Sequence, residues 1–250
     1  MNWNWMLPEP ASNIGTEIDS IYYLILIITG AIFVLVEVAL IVFLVRYRRR
    51  DGRRAEYSHG NKTAEVVWTV IPFVLVLYIA YASNGVWLRA KEADRTGSAP
   101  ADAVPMRVTA KQFEWNVTYP GPDGRLDTTD DFTERNRLNL PLDRAVRIEL
   151  ASEDVIHSFF LPDLRVKQDA VPGMVIPVWF EATKAGEFDW ACAELCGLGH
   201  YRMRGSVTVH EAGGFERWQA EQTAAAAAQA MPAEPTPPAE PTTQESEESA

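Results

Sequence analysis

The chain's two cysteines, Cys192 and Cys196, lie in the stretch WACAELCGLGHYRM (Trp190–Met203), with three residues between them. His200 follows four positions after the second thiol, and Met203 three positions after that. Two thiols, an imidazole and a thioether at this spacing admit few chemistries. A disulfide between the cysteines needs an oxidising compartment. Covalent haem attachment needs C-x-x-C-H, which this spacing does not supply. Zinc would take two Cys and two His and leave Met203 without a role. A thioether is a soft donor that suits copper, and the set reads as a copper loop with an extra thiolate.

Such a centre needs a second imidazole, and the chain has four histidines. His59 sits in a strongly basic loop, and His210 in the last strand-like run, well past the cysteines. His157 lies in SEDVIHSFFLPDL, between two strand-like runs upstream of the cysteine loop. Cupredoxins draw one histidine from an earlier strand and the rest from a late loop, and His157 fits that arrangement.

The elements that must carry these residues divide the chain sharply. It has 250 residues, 47% hydrophobic and 23% charged, with a formal net charge of -11. That length allows one or two domains. The acidic balance argues against nucleic acid as a partner and suits a basic protein or a solvated face. Residues 21–45, IYYLILIITGAIFVLVEVALIVFLV, and 64–88, AEVVWTVIPFVLVLYIAYASNGVWL, are long apolar runs. At about 1.5 Å per residue each exceeds a hydrocarbon core of roughly 30 Å, so both are expected to be transmembrane helices. Pro72 inside the second is tolerated better in a membrane than in water. The first run is too long for a signal h-region and reads as a retained span. Residues 1–20 carry Glu9, Glu17 and Asp19 and no Lys or Arg, whereas the loop 46–63 carries Arg46, Arg48, Arg49, Arg50, Arg53, Arg54 and Lys62. The positive-inside bias puts that loop in the cytoplasm and both termini outside.

After a polar linker, 89–105, the periodicity changes. Residues 106–218 hold short alternating or β-branched runs such as FEWNVTY, AVRIEL, VIPVWFEA and GSVTVHE, separated by turn signals such as YPGPDG and VPGM. These predict an all-β sandwich or barrel, with Phe113, Trp115, Val117 and Tyr119 on one face. Residues 219–250 are rich in Ala, Pro, Glu and Thr and carry no Lys or Arg. Too little apolar surface is available there to offset the ordering entropy, so a disordered tail is expected, with the Ala run able to form transient helix.

Three stretches carry a family resemblance. SEDVIHSFFLPDLRVKQDAVPGM followed by CAELCGLGHYRM resembles subunit II of the haem–copper cytochrome c oxidases, and AEVVWTVIPFVLVL resembles the opening of that family's second helix. The likeness runs, in order, over roughly residues 20 to 215. It implies a two-helix transmembrane hairpin joined to an all-β cupredoxin domain (a Greek-key sandwich or barrel) in a bacterial inner membrane, with the copper domain and both termini periplasmic. It further implies a dinuclear copper centre, CuA. Cys192 and Cys196 would bridge two coppers, His157 and Met203 would complete one, and His200 and the carbonyl oxygen of Glu194 the other. The Glu194 carboxylate would help hold a magnesium ion shared with subunit I.

The same resemblance implies the partners. Cytochrome c would deliver electrons at KQFEWNVTY, where the family has a tryptophan at the position of Phe113 and another at Trp115. Phe113 departs from that pattern, and Trp115 matches it. Asp154, Asp163, Asp169, Glu187 and Asp189 are candidates for steering a basic cytochrome. Glu65 matches a glutamate at the cytoplasmic mouth of a proton pathway into subunit I. The expected role is electron-accepting subunit of a proton-pumping cytochrome c oxidase, working with subunits I and III in the lipid bilayer, while oxygen is reduced in subunit I. The ligand set argues against the copper-free subunit of the quinol oxidases. The two membrane runs argue against a soluble CuA enzyme such as nitrous-oxide reductase, and the second-helix motif against a free-standing copper carrier.

Overall fold

The computed structural model describes residues 7–55, 57–91 and 100–230. Residues 1–6, 56, 92–99 and 231–250, which belong to the expected N-terminal segment, basic loop, linker and tail, lie outside the described residues.

Two long helices come first, α1 (Gly15–Arg46) and α2 (Lys62–Lys91). Each apolar run is framed by charges that complement the helix dipole. Glu17 and Glu65 stand in the first turns, and Arg46, Arg89 and Lys91 in the last. The Asn61 side chain caps α2 by accepting from the Ala64 N–H at 3.1 Å. Within α1, the Thr29 hydroxyl is satisfied by the Ile25 carbonyl at 2.8 Å, the local solution a membrane demands of a polar side chain. Among the described residues, nothing buries the most apolar stretch of either helix. A soluble core helix would be covered by its own protein; these two require lipid or a partner subunit.

Ten strands between Val104 and His210 form two five-stranded sheets, β3-β2-β1-β5-β8 and β4-β10-β9-β6-β7. Their ranges are β1 (Val104–Lys111), β2 (Glu114–Tyr119), β3 (Phe132–Arg135), β4 (Arg137–Pro141), β5 (Ala145–Ser152), β6 (His157–Leu161), β7 (Val166–Ala170), β8 (Ile176–Glu181), β9 (Gly186–Cys192) and β10 (Arg204–His210). Strict alternation drives the packing. Val104, Met106, Val108 and Ala110 of β1 and Trp115, Val117 and Tyr119 of β2 point inward, where they meet Phe159, Leu161, Phe180 and Trp190. Two parallel pairings, β1 with β5 and β4 with β10, need the crossovers between sheets that make this a sandwich rather than a meander.

A third helix, α3 (Gly214–Ala230), follows the last strand. The expected tail boundary at residue 219 therefore falls inside a helix. Alanine has the highest helix propensity, and Phe215 and Trp218 pin the first turns to the sandwich, Trp218 packing on Tyr119, Phe132 and His210. Farther along, Gln219 donates to the Pro120 carbonyl at 2.9 Å.

The hairpin is laced to the sandwich rather than tethered to it. Ala11 donates to the Asp163 carbonyl and accepts from the Thr183 N–H, Asn13 donates to the Glu181 carbonyl, and the Ser12 hydroxyl donates to the Leu164 carbonyl at 2.6 Å. Arg165 grips Asp19 of α1 through two N–H···O bonds of 2.7 and 2.9 Å and also donates to the carbonyls of Pro162 and Pro8. From α2, the Arg89 carbonyl accepts from the Trp179 indole N–H, and the Lys91 ammonium donates to the Lys167 carbonyl and to Gln168. Arg89 and Glu17 join the two helices at the same end. The start of α1, the end of α2 and the sandwich thus share one side of the membrane.

The Arg165–Asp19 pair is nearly buried, with side chains only 9% and 13% exposed. Removing one partner strands a charge that has lost its water, at a cost of about 3 kcal/mol. Asp19→Ala should lower the thermal midpoint of the full-length chain in detergent, followed by near-ultraviolet circular dichroism; an unchanged midpoint would show that the pair holds nothing.

Candidate metal centre

The antiparallel pairing of β6 with β9 sets Phe159 opposite Cys192. It brings His157, the first residue of β6, beside Cys192, the last residue of β9. The chain then turns back on itself before β10. Ala193 donates to the Ser158 carbonyl, and Cys192 donates to the Met203 carbonyl at 2.9 Å. Between them a short 3-10 turn, His200–Arg202, closes through His200 N–H to Gly197 and Met203 N–H to His200, each at 3.1 Å.

These turns converge five side chains. His157 Nδ1 lies 3.9 Å from Cys192 Sγ, and the two sulfurs are 3.9 Å apart. Cys196 Sγ is 3.6 Å from both His200 Nδ1 and Met203 Sδ. The carbonyl oxygen of Glu194 is 3.1 Å from Cys192 Sγ, while its carboxylate side faces solvent. His157 is fully buried, Met203 and both free cysteines nearly so, and His200 half-buried. His157, Cys192 and Cys196 lie close enough to hold one metal ion in common, and His200, Met203 and the Glu194 carbonyl stand within reach of the same sulfurs. Two thiols, two imidazoles and a thioether form a soft donor set that fits copper.

The surroundings orient the donors. The Asp154 carboxylate contacts His157 Nε2 at 2.9 Å, so the imidazole carries its proton there and turns Nδ1 toward the sulfurs. Burial pushes the Asp154 carboxyl up, but the hydrogen bonds from His157 and from the N–H groups of Gln112 and Val155 outweigh it and leave it below the usual carboxylate range. An aromatic wall backs the site, with Trp115 in edge contact with His157 and Phe159 and tilted against Trp190.

Three expectations shift. Phe113 does not share the inward face of Trp115, Val117 and Tyr119; it lies in the turn before β2, half-buried, with the Arg202 guanidinium 5.9 Å above its ring. Its ring packs on the cysteine loop so closely that a Cβ at Gly199 would overlap it and one at Gly197 would overlap Gln112. Trp115 is wholly buried and out of reach of any docking protein, because β2 alternation turns it into the core. Asp154, a candidate for steering a partner, is instead engaged by His157 and Gln112. Glu65 stands in the first turn of α2, a helix length of about 40 Å from the sandwich. Gln112 escaped sequence reasoning altogether; its place directly before Phe113 was the one available signal.

A membrane hairpin fastened to a β-sandwich, with a soft-donor loop at one edge, is a membrane-anchored cupredoxin-like protein. The family model for the cytochrome c oxidase subunit II transmembrane domain matches residues 1–86, and that for the periplasmic domain of the same subunit matches residues 122–210. The alternative cytochrome c oxidase subunit 2 of Bradyrhizobium diazoefficiens is 32% identical over 244 residues, spanning 89% of this chain and 86% of the relative. Cytochrome c oxidase subunit 2 of Thermostichus vulcanus is 30% identical over 270 residues, spanning 88% and 80%. The crystallised periplasmic domain of subunit II of cytochrome oxidase (CoxB) from Bradyrhizobium japonicum is 29% identical and covers 51% of this chain and 98% of its own length, with a TM-score of 0.45. The chain belongs to the cytochrome c oxidase subunit II family. It is a membrane protein and a component of a haem–copper oxidase, and it acts with partner subunits. Subunit II of this family normally carries copper.

Burial, and then the neighbouring Cys192, push the Cys196 thiol up to about 11. In the metal-free chain both the raised value and the enclosure oppose thiolate formation. Alkylation of Cys196 by iodoacetamide in the reduced, metal-free chain should be slow at neutral pH and climb as the pH approaches the raised value. Fast alkylation near pH 7 would overturn this reading of the site.

Proposed function

We propose that this chain is the electron-accepting subunit of a proton-pumping cytochrome c oxidase, holding a dinuclear copper centre on the side of the membrane where the sandwich lies. The observation that carries the reading is the convergence of His157, Cys192, Cys196, His200 and Met203 at the edge of a sandwich fixed to a membrane hairpin. When bound, the copper pair supplies a one-electron acceptor and donor whose charge change is spread over two metals.

The chain's own residues prepare that chemistry. Cys192 and Cys196 would hold the copper pair through their sulfurs. His157 would offer Nδ1 to the copper pair while Asp154 holds the proton on Nε2. His200 would offer its Nδ1 beside Cys196. The Met203 sulfur and the Glu194 carbonyl would serve as weak donors, tuning affinity and potential more than holding the ions. Trp115, Phe159 and Trp190 exclude water from one side, so little solvent has to reorganise when the charge changes.

Partners follow from the exposed groups. Phe113, half-buried in contact with the cysteine loop, is the point of contact for cytochrome c; Trp115 lies behind it as part of the wall. The exposed Glu194 carboxylate would share a magnesium ion with subunit I. Glu65, at the opposite end of α2, lies at the cytoplasmic mouth of a proton path. The arginine-rich loop faces the cytoplasm of a bacterial inner membrane, subunits I and III cover the apolar hairpin, and the sandwich is periplasmic.

Electron paramagnetic resonance of the copper-loaded full-length chain tests the centre. One electron shared equally by two copper nuclei gives a seven-line splitting, whereas an electron held by one nucleus gives four lines. Seven lines are expected; four, or no copper uptake by a reduced and folded sample, would refute the dinuclear assignment. In the assembled oxidase, Phe113→Leu keeps the apolar contact with the loop but removes the ring. It should slow reduction by cytochrome c while leaving the copper spectrum intact, and unchanged kinetics would remove Phe113 from the route.

A further inference from the structure

We propose that Gln112 is a positioning residue of the metal centre, bracing the Cys196 loop and the His157 strand from the opposite sheet. The donors themselves all belong to one sheet: His157 to β6, Cys192 to β9, and Cys196, His200 and Met203 to the loop between β9 and β10. Hydrogen bonds within that loop fix its local shape but not its position over the core. Gln112 sits in the turn between β1 and β2 of the other sheet.

Gln112 reaches the centre twice. Its side-chain amide donates to the carbonyl of Cys196 at 2.5 Å. Its backbone N–H donates to Asp154 Oδ2 at 2.7 Å, and the other oxygen of that carboxylate meets His157 Nε2 at 2.9 Å. One residue thus holds Cys196 directly and His157 through a single carboxylate. The neighbouring Glu153 N–H bonds the carbonyl of Ala110 at 3.0 Å, which keeps the Asp154 segment against the end of β1. Phe113 completes the brace by lying on Gly197 and Gly199, where no side chain intervenes.

The chemistry selects glutamine narrowly. The Cys196 carbonyl needs an N–H donor at the end of a two-methylene arm. Glutamate has the same shape but, ionised, offers only acceptors and would set a carboxylate against a carbonyl oxygen. Alanine leaves the carbonyl to water. In either case the loop loses its tie to the opposite sheet, while the backbone bond to Asp154 persists. Partners of this kind, one shell out from a metal, are worth about tenfold or more in metal affinity.

The brace itself is testable without copper, so its failure is separable from failure of the copper assignment on which its role rests. In the reduced, metal-free full-length chain in detergent, Gln112→Glu and Gln112→Ala should both speed hydrogen–deuterium exchange at residues 196–200 and leave β1, β5 and β10 as in the parent. Parent-like exchange at 196–200 in the isosteric Gln112→Glu chain would overturn the brace, whatever copper does. In the copper-loaded oxidase, Gln112→Glu should release copper to a chelator about tenfold faster with altered hyperfine splitting. Faster loop exchange with unchanged copper release and splitting would overturn the positioning role.

Discussion

The pairing of β6 with β9 is the constraint on which the site depends. It sets side by side two residues thirty-odd positions apart, and it does so at the edge of an aromatic core that no water reaches. A loop of thiols on its own would be a generic soft-metal clip open to solvent. Against β6 it gains an imidazole whose free nitrogen is already turned inward, because Asp154 occupies the other one. Burial works on the same groups in two directions. It raises the Cys196 thiol and so disfavours the bare thiolate, and on the proposed function it would shelter a metal–thiolate bond from water. The fold makes the empty donors reluctant and the metal their relief.

Sequence alone reveals the parts of this arrangement that are encoded locally. Two apolar runs of membrane length, the alternation of β1, β2 and β10, and the soft-donor composition of Trp190–Met203 all depend on neighbouring residues, and each is visible as a pattern. What depends on long-range contact is not. Gln112 carries no motif, and its role exists only because the β1–β2 turn overhangs a loop more than eighty residues away. Asp154 reads as a surface acid until its distance to His157 is known. Phe113 and Trp115, two apart, look like one face of a strand, yet the strand begins between them at Glu114. The alanine run of α3 reads as tail because composition does not reveal the anchor supplied by Phe215 and Trp218.

The ion pairs sort by burial in the same way. Arg107 with Asp127 and Glu149, Arg135 with Glu114, and Lys167 with Asp169 each keep at least one partner well exposed, where such pairs contribute little. Arg165 with Asp19 is different in kind, being sheltered and doubly bonded, with two further carbonyls on the same guanidinium. It spans the junction of helix and sandwich, the place where a hinge would otherwise form.

That junction has a consequence for timing. Electron tunnelling decays exponentially with distance, so a redox centre on a loose tether would spend most of its time too far from any acceptor in the membrane and would be limited by how often it swung back. The residues around Ala11 and Asn13, the Arg165 clamp and the ties from Arg89 and Lys91 remove that search. The height of the cysteine loop above the hairpin becomes a fixed dimension of the molecule, set by hydrogen bonds far from the sulfurs, and on the proposed function it would fix the rate at which charge leaves the sandwich.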